Sequence, residues 1–208
     1  MLIFPIVIAG LTAYLLGNLN GAVCISALSH DDVRNHGSGN AGLTNFIRNY
    51  GASRAMLVFL IDTGKAAIAC LAAGLMLEPY GYSLEGRVLG GVLVMLGHDF
   101  PALLGFKGGK GILTGWFIAF TIDWRVGAII GVVFFVVYFL TYYVSLASVF
   151  SAVAFTVGFA LFHLTNPAVM SGAVFMSLLT LFMHRGNILR LIKGQESKVN
   201  LFAKGKKQ

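Results

Sequence analysis

The chain alternates between long apolar stretches and short polar stretches that are rich in glycine. The apolar stretches cover residues 2–24, 53–77, 87–105, 112–122, 126–141, 146–163 and 168–183. About 20 apolar residues in a helix cross the ~30 Å hydrocarbon core of a bilayer. The pattern therefore predicts an all-α, polytopic membrane protein with about seven transmembrane helices, some of them short or broken.

Two of these stretches are irregular. The stretch 112–122 has eleven residues, which as a helix reach about half of the hydrocarbon core. We expect either a half-helix or a broken re-entrant pair with its neighbour, which is tolerated only where protein or a cavity covers it. Thr12, Asn18 and Asn20 interrupt the first stretch without adding charge.

The composition agrees with a membrane protein. Of the 208 residues, 57% are hydrophobic and 11% are charged, and the mean hydropathy is +0.82, whereas soluble domains carry about 25% charged residues. The N-terminus lacks a basic region and a cleavage site, so the first stretch is expected to remain as a span of one membrane domain over 1–208. Cys24 and Cys70 lie in apolar stretches and are expected to be free and buried.

The basic residues predict the orientation. With seven spans and an outside N-terminus, twelve of the fifteen basic residues fall in cytoplasmic connections or in the tail 184–208. Arg87 and Arg125 fall outside, and Lys65 lies within the second span. This bias predicts a cytoplasmic C-terminus. The net charge of +7 is concentrated in the tail, so we expect contact with anionic lipids and not with nucleic acid.

The first polar island, residues 31–48, predicts an anion site. Gly37, Gly39 and Gly42 have the spacing of a dinucleotide-binding fingerprint, but that fingerprint requires a preceding strand and a βαβ unit. Here membrane spans flank the island, so nucleotide binding is rejected. Glycines still let backbone N–H groups approach an anion, and a helix that begins near Thr44 would point its positive end at it.

The second polar island, residues 97–111, contains two lysines with two glycines between them, Lys107 and Lys110. The spacing is not that of a Walker A loop. A positive-inside anchor would account for either lysine alone but not for the glycines around them. Phosphate contact is therefore the favoured interpretation.

The third polar island, residues 184–198, begins directly after the last apolar stretch. If the helix continues past Met183, His184, Asn187 and Arg190 lie on one face. A solvated tail is the alternative interpretation. Ser145 and Ser148, at the start of the sixth stretch, are a weak signal by themselves because hydroxyls there are usually helix caps.

An ionisable residue within a membrane span costs roughly 2.5–3.5 kcal/mol of insertion free energy unless it is paired or in contact with water. Asp62 and Lys65 are three residues apart in the second span, and a structural pair and a functional role are equally supported. His163 lies near the outer end of its span and is expected to pack.

Several motifs are absent. The sequence contains no His-x-x-x-x-Asp pair, no Gly-x-Ser-x-Gly elbow and no Asp-x-x-Asp set. Few acids remain to hold magnesium, so we expect no metal site and no protein nucleophile.

The three islands together resemble the acyl-phosphate:glycerol-3-phosphate acyltransferase family, of the PlsY type. The resemblance runs from about residue 10 to 198 and includes Asp62, Lys65 and the segment 144–148. The similar motifs are Gly37-Ser38-Gly39-Asn40-Ala41-Gly42 with Thr44, Asn45 and Arg48; Gly97-His98, Pro101 and Phe106-Lys107-Gly108-Gly109-Lys110-Gly111; and His184, Asn187-Ile188, Arg190-Leu191 and Glu196. The chain departs from the family pattern at Asn18, Asn20, Leu43, Ile112-Leu113 and Tyr142. These departures leave open that the protein is a divergent paralogue.

The resemblance implies an enzyme of bacterial phospholipid synthesis, in the inner membrane, with a cytoplasmic active site. It implies acyl transfer from acyl-phosphate to the 1-hydroxyl of glycerol 3-phosphate, which gives lysophosphatidic acid and phosphate. No cofactor, metal or covalent acyl-enzyme is implied, and a monomer in membrane lipid is compatible with it. The implied catalytic residues are Ser38, Arg48, Lys110, His184 and Asn187. The implied substrate-binding residues are Gly39, Asn40, Asn45, His98, Lys107, Gly108, Gly109, Gly111, Ser148, Arg190 and Glu196.

The base that deprotonates the attacking hydroxyl is not evident. We hypothesise that a substrate phosphate takes the proton, with His98 and His184 orienting the reactants. The main alternative function is a phosphate or anion transporter or channel, although its outer connections would offer only Arg87 and Arg125. A magnesium-dependent lipid-phosphate transferase and a scaffold protein are further alternatives.

Overall fold

The computed structural model describes residues 2–199 and 201. Across these residues the chain forms helices and no strands. The ten α-helices of this described part are α1 (Ile3–Gly17), α2 (Gly21–Ala27), α3 (Leu43–Tyr50), α4 (Ala52–Leu77), α5 (Ser83–Asp99), α6 (Ile112–Ile122), α7 (Trp124–Thr141), α8 (Val144–His163), α9 (Pro167–Met183) and α10 (Arg185–Ile192). Short 3-10 helices lie at Val33–Asn35, Glu78–Tyr80 and Ala102–Leu104.

The prediction of an all-helical, polytopic protein is confirmed. Within the described ranges, four helices are long and apolar enough to cross a membrane, namely α4, α5, α7 and α8. Two bent pairs, α1 with α2 and α9 with α10, raise the number of candidate spans to six if each pair is one span. Helix α6, with 11 residues, is a shorter apolar helix. The number seven and the orientation of the termini stay predictions.

The first apolar stretch is two helices and not one. Helix α2 is bent by 46° from α1, because Asn20 leaves the helical conformation and its side chain accepts a hydrogen bond from the Val23 N–H to cap the new helix. Cys24 is exposed on α2, so the expectation that both cysteines are buried is wrong for it and right for Cys70. Both thiols are free.

The third stretch also differs from its predicted bounds, and a further helix follows the last stretch. Helix α5 begins at Ser83 and ends at Asp99 rather than covering 87–105, because Pro101 disfavours helical backbone in the preceding residue. The segment after Met183 is helix α10, bent by 58° from α9, so the first residues of the predicted basic tail 184–208 are helical and not a solvated coil. Residues 200 and 202–208 of that tail, with its last three lysines, lie outside the described residues.

Helices α1, α4 and α5 pack closely around small residues. A Cβ atom at Gly90 of α5 would overlap the carbonyl oxygen of Ala69 in α4, and one at Gly97 would overlap the carbonyl oxygen of Tyr14 in α1. Small residues of this kind let helix backbones approach each other in a membrane, where lipid supplies no hydrophobic drive for association. Helices α7, α8 and α9 pack on one another in chain order.

The short helix α6 leaves room on one side of this bundle. It packs against α7 after a turn at Asp123, and Trp116 and Phe120 of α6 lie against Gly131 and Gly127 of α7. The two helices are therefore antiparallel. Helix α6 has 11 residues and α7 has 18. Measured along the helix axis from the turn at Asp123, the first residue of α6 therefore lies about 10 Å short of the last residue of α7.

The turn at Asp123 is held by an ionic cluster. The Asp123 carboxylate accepts hydrogen bonds from the Arg125 guanidinium at 2.6 Å and lies 2.8 Å from Nε2 of His163. These contacts, that of Arg125 above all, hold the pKa of Asp123 below its ordinary value despite partial burial. His163, expected only to pack, therefore also pairs with a carboxylate.

The close approach of α4 and α5 predicts unequal effects of two glycine substitutions. Gly90→Ala is expected to destabilise the protein by about 1–3 kcal/mol because the backbones must separate. Gly64→Ala is the control, since a Cβ at Gly64, also within a helix, meets no atom within 4 Å. Thermal unfolding in one detergent would compare them, and equal midpoints for the two variants would contradict the proposed contact.

Candidate active site

A cavity of about 620 Å³ lies where the three polar islands meet the space left by α6. Its polar wall combines residues that are more than a hundred positions apart in the chain. This wall includes Ser38, Asn40, Asn45, Arg48, Asp62, His98, Lys110, Ser145, Ser148, Ser151, His184, Asn187, Arg190 and Glu196. Its apolar wall includes Phe59, Ile112, Leu113, Trp116, Ile130, Phe134, Phe135 and Val144.

Asn45 shapes the first island. Its buried side-chain amide donates to the carbonyl oxygens of Val33, His36 and Asn40 at 3.0–3.1 Å, and its oxygen accepts from the Ser38 N–H at 3.0 Å. One amide thereby closes the loop into a compact turn, which presents Ser38 to the cavity.

Two glycines and a helix start complete this island. Gly37 and Gly39 have φ angles of +57° and +69°, a left-handed conformation that glycine adopts without strain. Helix α3 begins at Leu43 without a side-chain cap, and its first residues line the cavity. The N–H groups of a first helical turn lack partners within the helix and attract anions.

The second island folds back onto the end of α5. The N–H groups of Gly108 and Gly109 donate to the carbonyl oxygens of Asp99 and His98. From the first island, the Arg34 guanidinium donates to the carbonyl oxygens of Leu104 and Lys107 at 3.0 and 3.2 Å. The positions of the two islands are thus coupled.

Lys110 is bound to the third island through Asn187. The Lys110 ammonium donates to the Asn187 side-chain oxygen at 2.5 Å, and the Asn187 amide donates to Glu196 at 2.8 Å. Glu196 also accepts from the Arg190 guanidinium at 2.7 Å. The carboxylate therefore orients Asn187 so that its oxygen faces Lys110.

The cavity carries excess positive charge. Burial lowers the pKa of Lys110, and the nearby Arg190 lowers it further. Burial alone would raise the pKa of Glu196, but hydrogen bonds, above all from Asn187 and Arg190, outweigh it and leave this pKa below its ordinary value. Among the described residues, Arg48 and Lys110 have no ion-pair partner. Both are therefore available to an anion.

Helix α8 adds three serines to the cavity wall, Ser145, Ser148 and Ser151. Ser148 donates to the carbonyl oxygen of Val144 at 2.8 Å. The buried hydroxyls of Ser145 and Ser151 have no hydrogen-bond partner within the described chain. Buried polar groups without a partner are uncommon, so these two hydroxyls are open to a polar group in the cavity.

Most of the residues proposed from the sequence line this cavity. All five implied catalytic residues do so, as do Asn40, Asn45, His98, Gly111, Ser148, Arg190 and Glu196. Four of the implied binding residues are not among those that line it, namely Gly39, Lys107, Gly108 and Gly109. Lys107 is exposed, while Gly109 packs against the His98 ring.

The apolar wall was missed by sequence reasoning. Trp116, Ile130, Phe134 and Phe135 lie in apolar helices, where a residue that faces a cavity cannot be distinguished from one that faces lipid. Ser151 carried a usable signal, because it follows Ser145 and Ser148 at a spacing of three residues. Such spacing keeps side chains on neighbouring faces of a helix.

A model of the family described as glycerol-3-phosphate acyltransferase matches residues 7–194. A glycerol-3-phosphate acyltransferase of Thermoanaerobacter sp. (strain X514) is 36% identical over 194 residues, which cover 93% of this chain and 95% of the relative. One from Prochlorococcus marinus (strain MIT 9312) is 40% identical over 195 residues, covering 90% of this chain and 94% of the relative.

Two solved structures have a similar fold. A crystal structure of PlsY, an integral membrane glycerol 3-phosphate acyltransferase, in its glycerol 3-phosphate form has a TM-score of 0.84 at 31% identity. The match covers 95% of this chain and 99% of that chain. The lysophosphatidic acid form has a TM-score of 0.81 at 31% identity, with coverage of 94% and 96%.

The contacts of Asn45 predict that it is needed for anion binding. Asn45→Ala would leave several backbone groups of the loop without hydrogen-bond partners, which costs about 1–3 kcal/mol for each buried group. A loss of about 1.4 kcal/mol in binding free energy lowers affinity tenfold. We therefore expect the variant to bind inorganic phosphate at least about tenfold more weakly. Asn35→Ala is the control, because Asn35 lies in the same loop, is exposed and does not line the cavity. Calorimetry would measure both, and equal affinities for phosphate would contradict this role.

Proposed function

The chain belongs to the glycerol-3-phosphate acyltransferase family, and we propose that it transfers an acyl group from acyl-phosphate to the 1-hydroxyl of glycerol 3-phosphate. The products are 1-acyl-glycerol 3-phosphate and inorganic phosphate, so the reaction begins phospholipid synthesis. The observation that carries this proposal is one cavity with a cationic, glycine-rich end and an apolar wall. Both substrates bear phosphate, and one also bears a long apolar chain.

The polar end of the cavity suits the phosphates. Lys110 and Arg48 supply the unpaired positive charges, and Ser38 and the start of α3 add neutral donors. Hydrogen bonds from charged donors to phosphate are about twice as strong as neutral ones. Asn187 holds the Lys110 ammonium at a set position, so the site is preorganised for developing negative charge.

The apolar wall suits the acyl chain. Ile112, Leu113 and Trp116 of α6 line the cavity together with Phe134 and Phe135 of α7. Burial of each CH₂ group of a chain against such side chains contributes about 0.8 kcal/mol. The reacting carbonyl would then lie at the boundary between this wall and the cationic end.

The chemistry needs no protein nucleophile. The hydroxyl oxygen attacks the acyl carbon, an ester bond forms, and the bond between the acyl carbon and the phosphate oxygen breaks. Acyl-phosphate is already an activated anhydride, so the hydroxyl can attack it directly. The departing phosphate takes the hydroxyl proton. Cationic groups at the cavity would stabilise the oxyanion and the leaving phosphate. This route uses neither a metal ion nor an acyl-enzyme.

We place the cavity on the cytoplasmic side of the bacterial inner membrane. Supporting this orientation, Arg34, Arg48, Arg54, Lys107, Lys110 and the basic tail would face the cytoplasm, with Arg87 and Arg125 on the other side. Seven crossings with an outside N-terminus satisfy this distribution if α6 is counted as one crossing.

The proposal predicts turnover by the purified protein. Palmitoyl-phosphate and glycerol 3-phosphate are expected to give lysophosphatidic acid, measured by mass spectrometry, with no loss in EDTA. Lys110→Ala is expected to lower kcat/KM by about 10²–10³, the range for removal of one donor to a developing oxyanion. Lys193→Ala is the control, because Lys193 is an exposed lysine at the end of α10.

Three outcomes would contradict the proposal. A folded wild-type protein without turnover would exclude the reaction. Inhibition by EDTA would indicate a metal-dependent transferase. Uptake of labelled phosphate into proteoliposomes without acyl transfer would favour the transporter.

A further inference from the structure

Lys65 lies inside α4 and is buried, with 4% of the residue exposed. Its ammonium nitrogen is 2.9 Å from a carboxylate oxygen of Asp62. It also lies 2.6 Å from the carbonyl oxygen of Leu19, 3.3 Å from that of Gly17 and 2.8 Å from Nδ1 of His98. Four acceptors thus surround one ammonium group.

These contacts decide which ring nitrogen of His98 carries hydrogen. A lysine ammonium has three hydrogens to donate and no lone pair to accept with. Nδ1 of His98 must therefore present its lone pair to Lys65, and the neutral ring carries its hydrogen on Nε2. Asp62 does not compete for a hydrogen on Nδ1, since its nearest oxygen is 3.7 Å away, beyond hydrogen-bonding distance.

The other edge of the His98 ring, which carries Nε2, lies beside Gly109, where a Cβ atom would overlap it. His98 is also one of the residues that line the cavity. Within the described chain, the structure shows no protein acceptor for Nε2 of His98. A hydrogen on this nitrogen is therefore open to a ligand in the cavity.

His184 has the opposite arrangement in the same cavity. Its Nδ1 is 2.9 Å from the carbonyl oxygen of Thr180, which can only accept a hydrogen bond. Its hydrogen is therefore on Nδ1, and Nε2 keeps a lone pair. The two cavity histidines are held in different tautomers by neighbours of opposite hydrogen-bonding character.

We propose that Lys65 is a positioning residue that holds His98 in the Nε2–H tautomer, so that His98 donates a hydrogen bond to an anionic oxygen of the bound substrates. In this state Nε2 of His98 has no lone pair and does not accept the proton of the attacking hydroxyl. The role rests on the proposed acyltransferase function, whereas the tautomer itself does not depend on substrate.

The tautomers can be measured without turnover. In protein labelled with ¹⁵N-histidine and placed in nanodiscs, long-range ¹H–¹⁵N spectra are expected to show Nε2–H for His98 and Nδ1–H for His184. Glycerol 3-phosphate is expected to shift the Nε2–H signal of His98. His98→Gln and His184→Gln assign the signals, and an Nδ1–H form or a mixture of tautomers at His98 would overturn the proposal.

A double substitution removes the constraint without leaving a buried charge unpaired. Lys65→Met alone would leave Asp62 uncompensated in the bundle, which destabilises strongly, so Lys65→Met is combined with Asp62→Asn. The amide introduced by Asp62→Asn still offers an oxygen to the Gly21 N–H, which in the wild type donates to Asp62 at 3.1 Å. His98 is expected to become a mixture of tautomers in this variant, and an unchanged Nε2–H signal would overturn the role of Lys65.

Conservative replacements of His98 test the donor role in catalysis. The amide of His98→Gln reaches the position of Nε2, and that of His98→Asn reaches the position of Nδ1. Glutamine is expected to retain at least about tenfold more kcat/KM than asparagine, as a hydrogen bond to a charged group allows. His30→Asn, at an exposed left-handed position, is the control with unchanged activity.

The outcomes separate the two proposals. Equal losses in His98→Gln and His98→Asn would overturn the donor role even if acyl transfer occurs. The expected tautomers and the glycerol 3-phosphate shift, in a protein that transfers no acyl group, would overturn the proposed function and leave the assignment of His98 as a ligand donor intact.

Discussion

The ion pair between Asp62 and Lys65 stabilises the break in the first apolar stretch, and through that break it positions the polar islands. Asn18 and Asn20, between α1 and α2, are buried, so the backbone groups of this break need hydrogen-bond partners within the protein. Lys65 donates to the carbonyl oxygens of Gly17 and Leu19, and Asp62 accepts from the N–H of Gly21. Both side chains are buried, and removal of either one would leave the other as an uncompensated buried charge.

The break that this pair stabilises connects the first span to two polar islands. Asn18 accepts a hydrogen bond from the Leu103 N–H, and Asn20 donates to the carbonyl oxygen of Ala41. Both contacts join residues that are far apart in the chain, so the break anchors the loops of the first and second islands to the first span.

The second constraint is the length of α6. Because this helix is about two turns shorter than its partner α7, a cavity opens between the bundle and the aromatic face of α7. The same geometry places the start of α6 beside Lys110, whose ammonium is held by Asn187 of α10. An apolar wall and a cationic end therefore share one cavity, which is what a substrate with a phosphate and an acyl chain requires.

From the amino-acid sequence alone, the class of fold and most of the polar residues that line the cavity could be predicted. Hydropathy is averaged over a window of residues, so the apolar helices were predictable from local composition. The glycine, lysine and asparagine motifs predicted a phosphate-binding site. The ends of the helices were less predictable, because Pro101 and Asn20 act through local backbone geometry. The apolar wall, the link from Glu196 through Asn187 to Lys110, and the contacts of Lys65 emerged only from the packing of the folded chain. They depend on which face of each apolar helix meets a neighbour and on contacts between residues far apart in the chain, and neither leaves a periodic signal in the sequence.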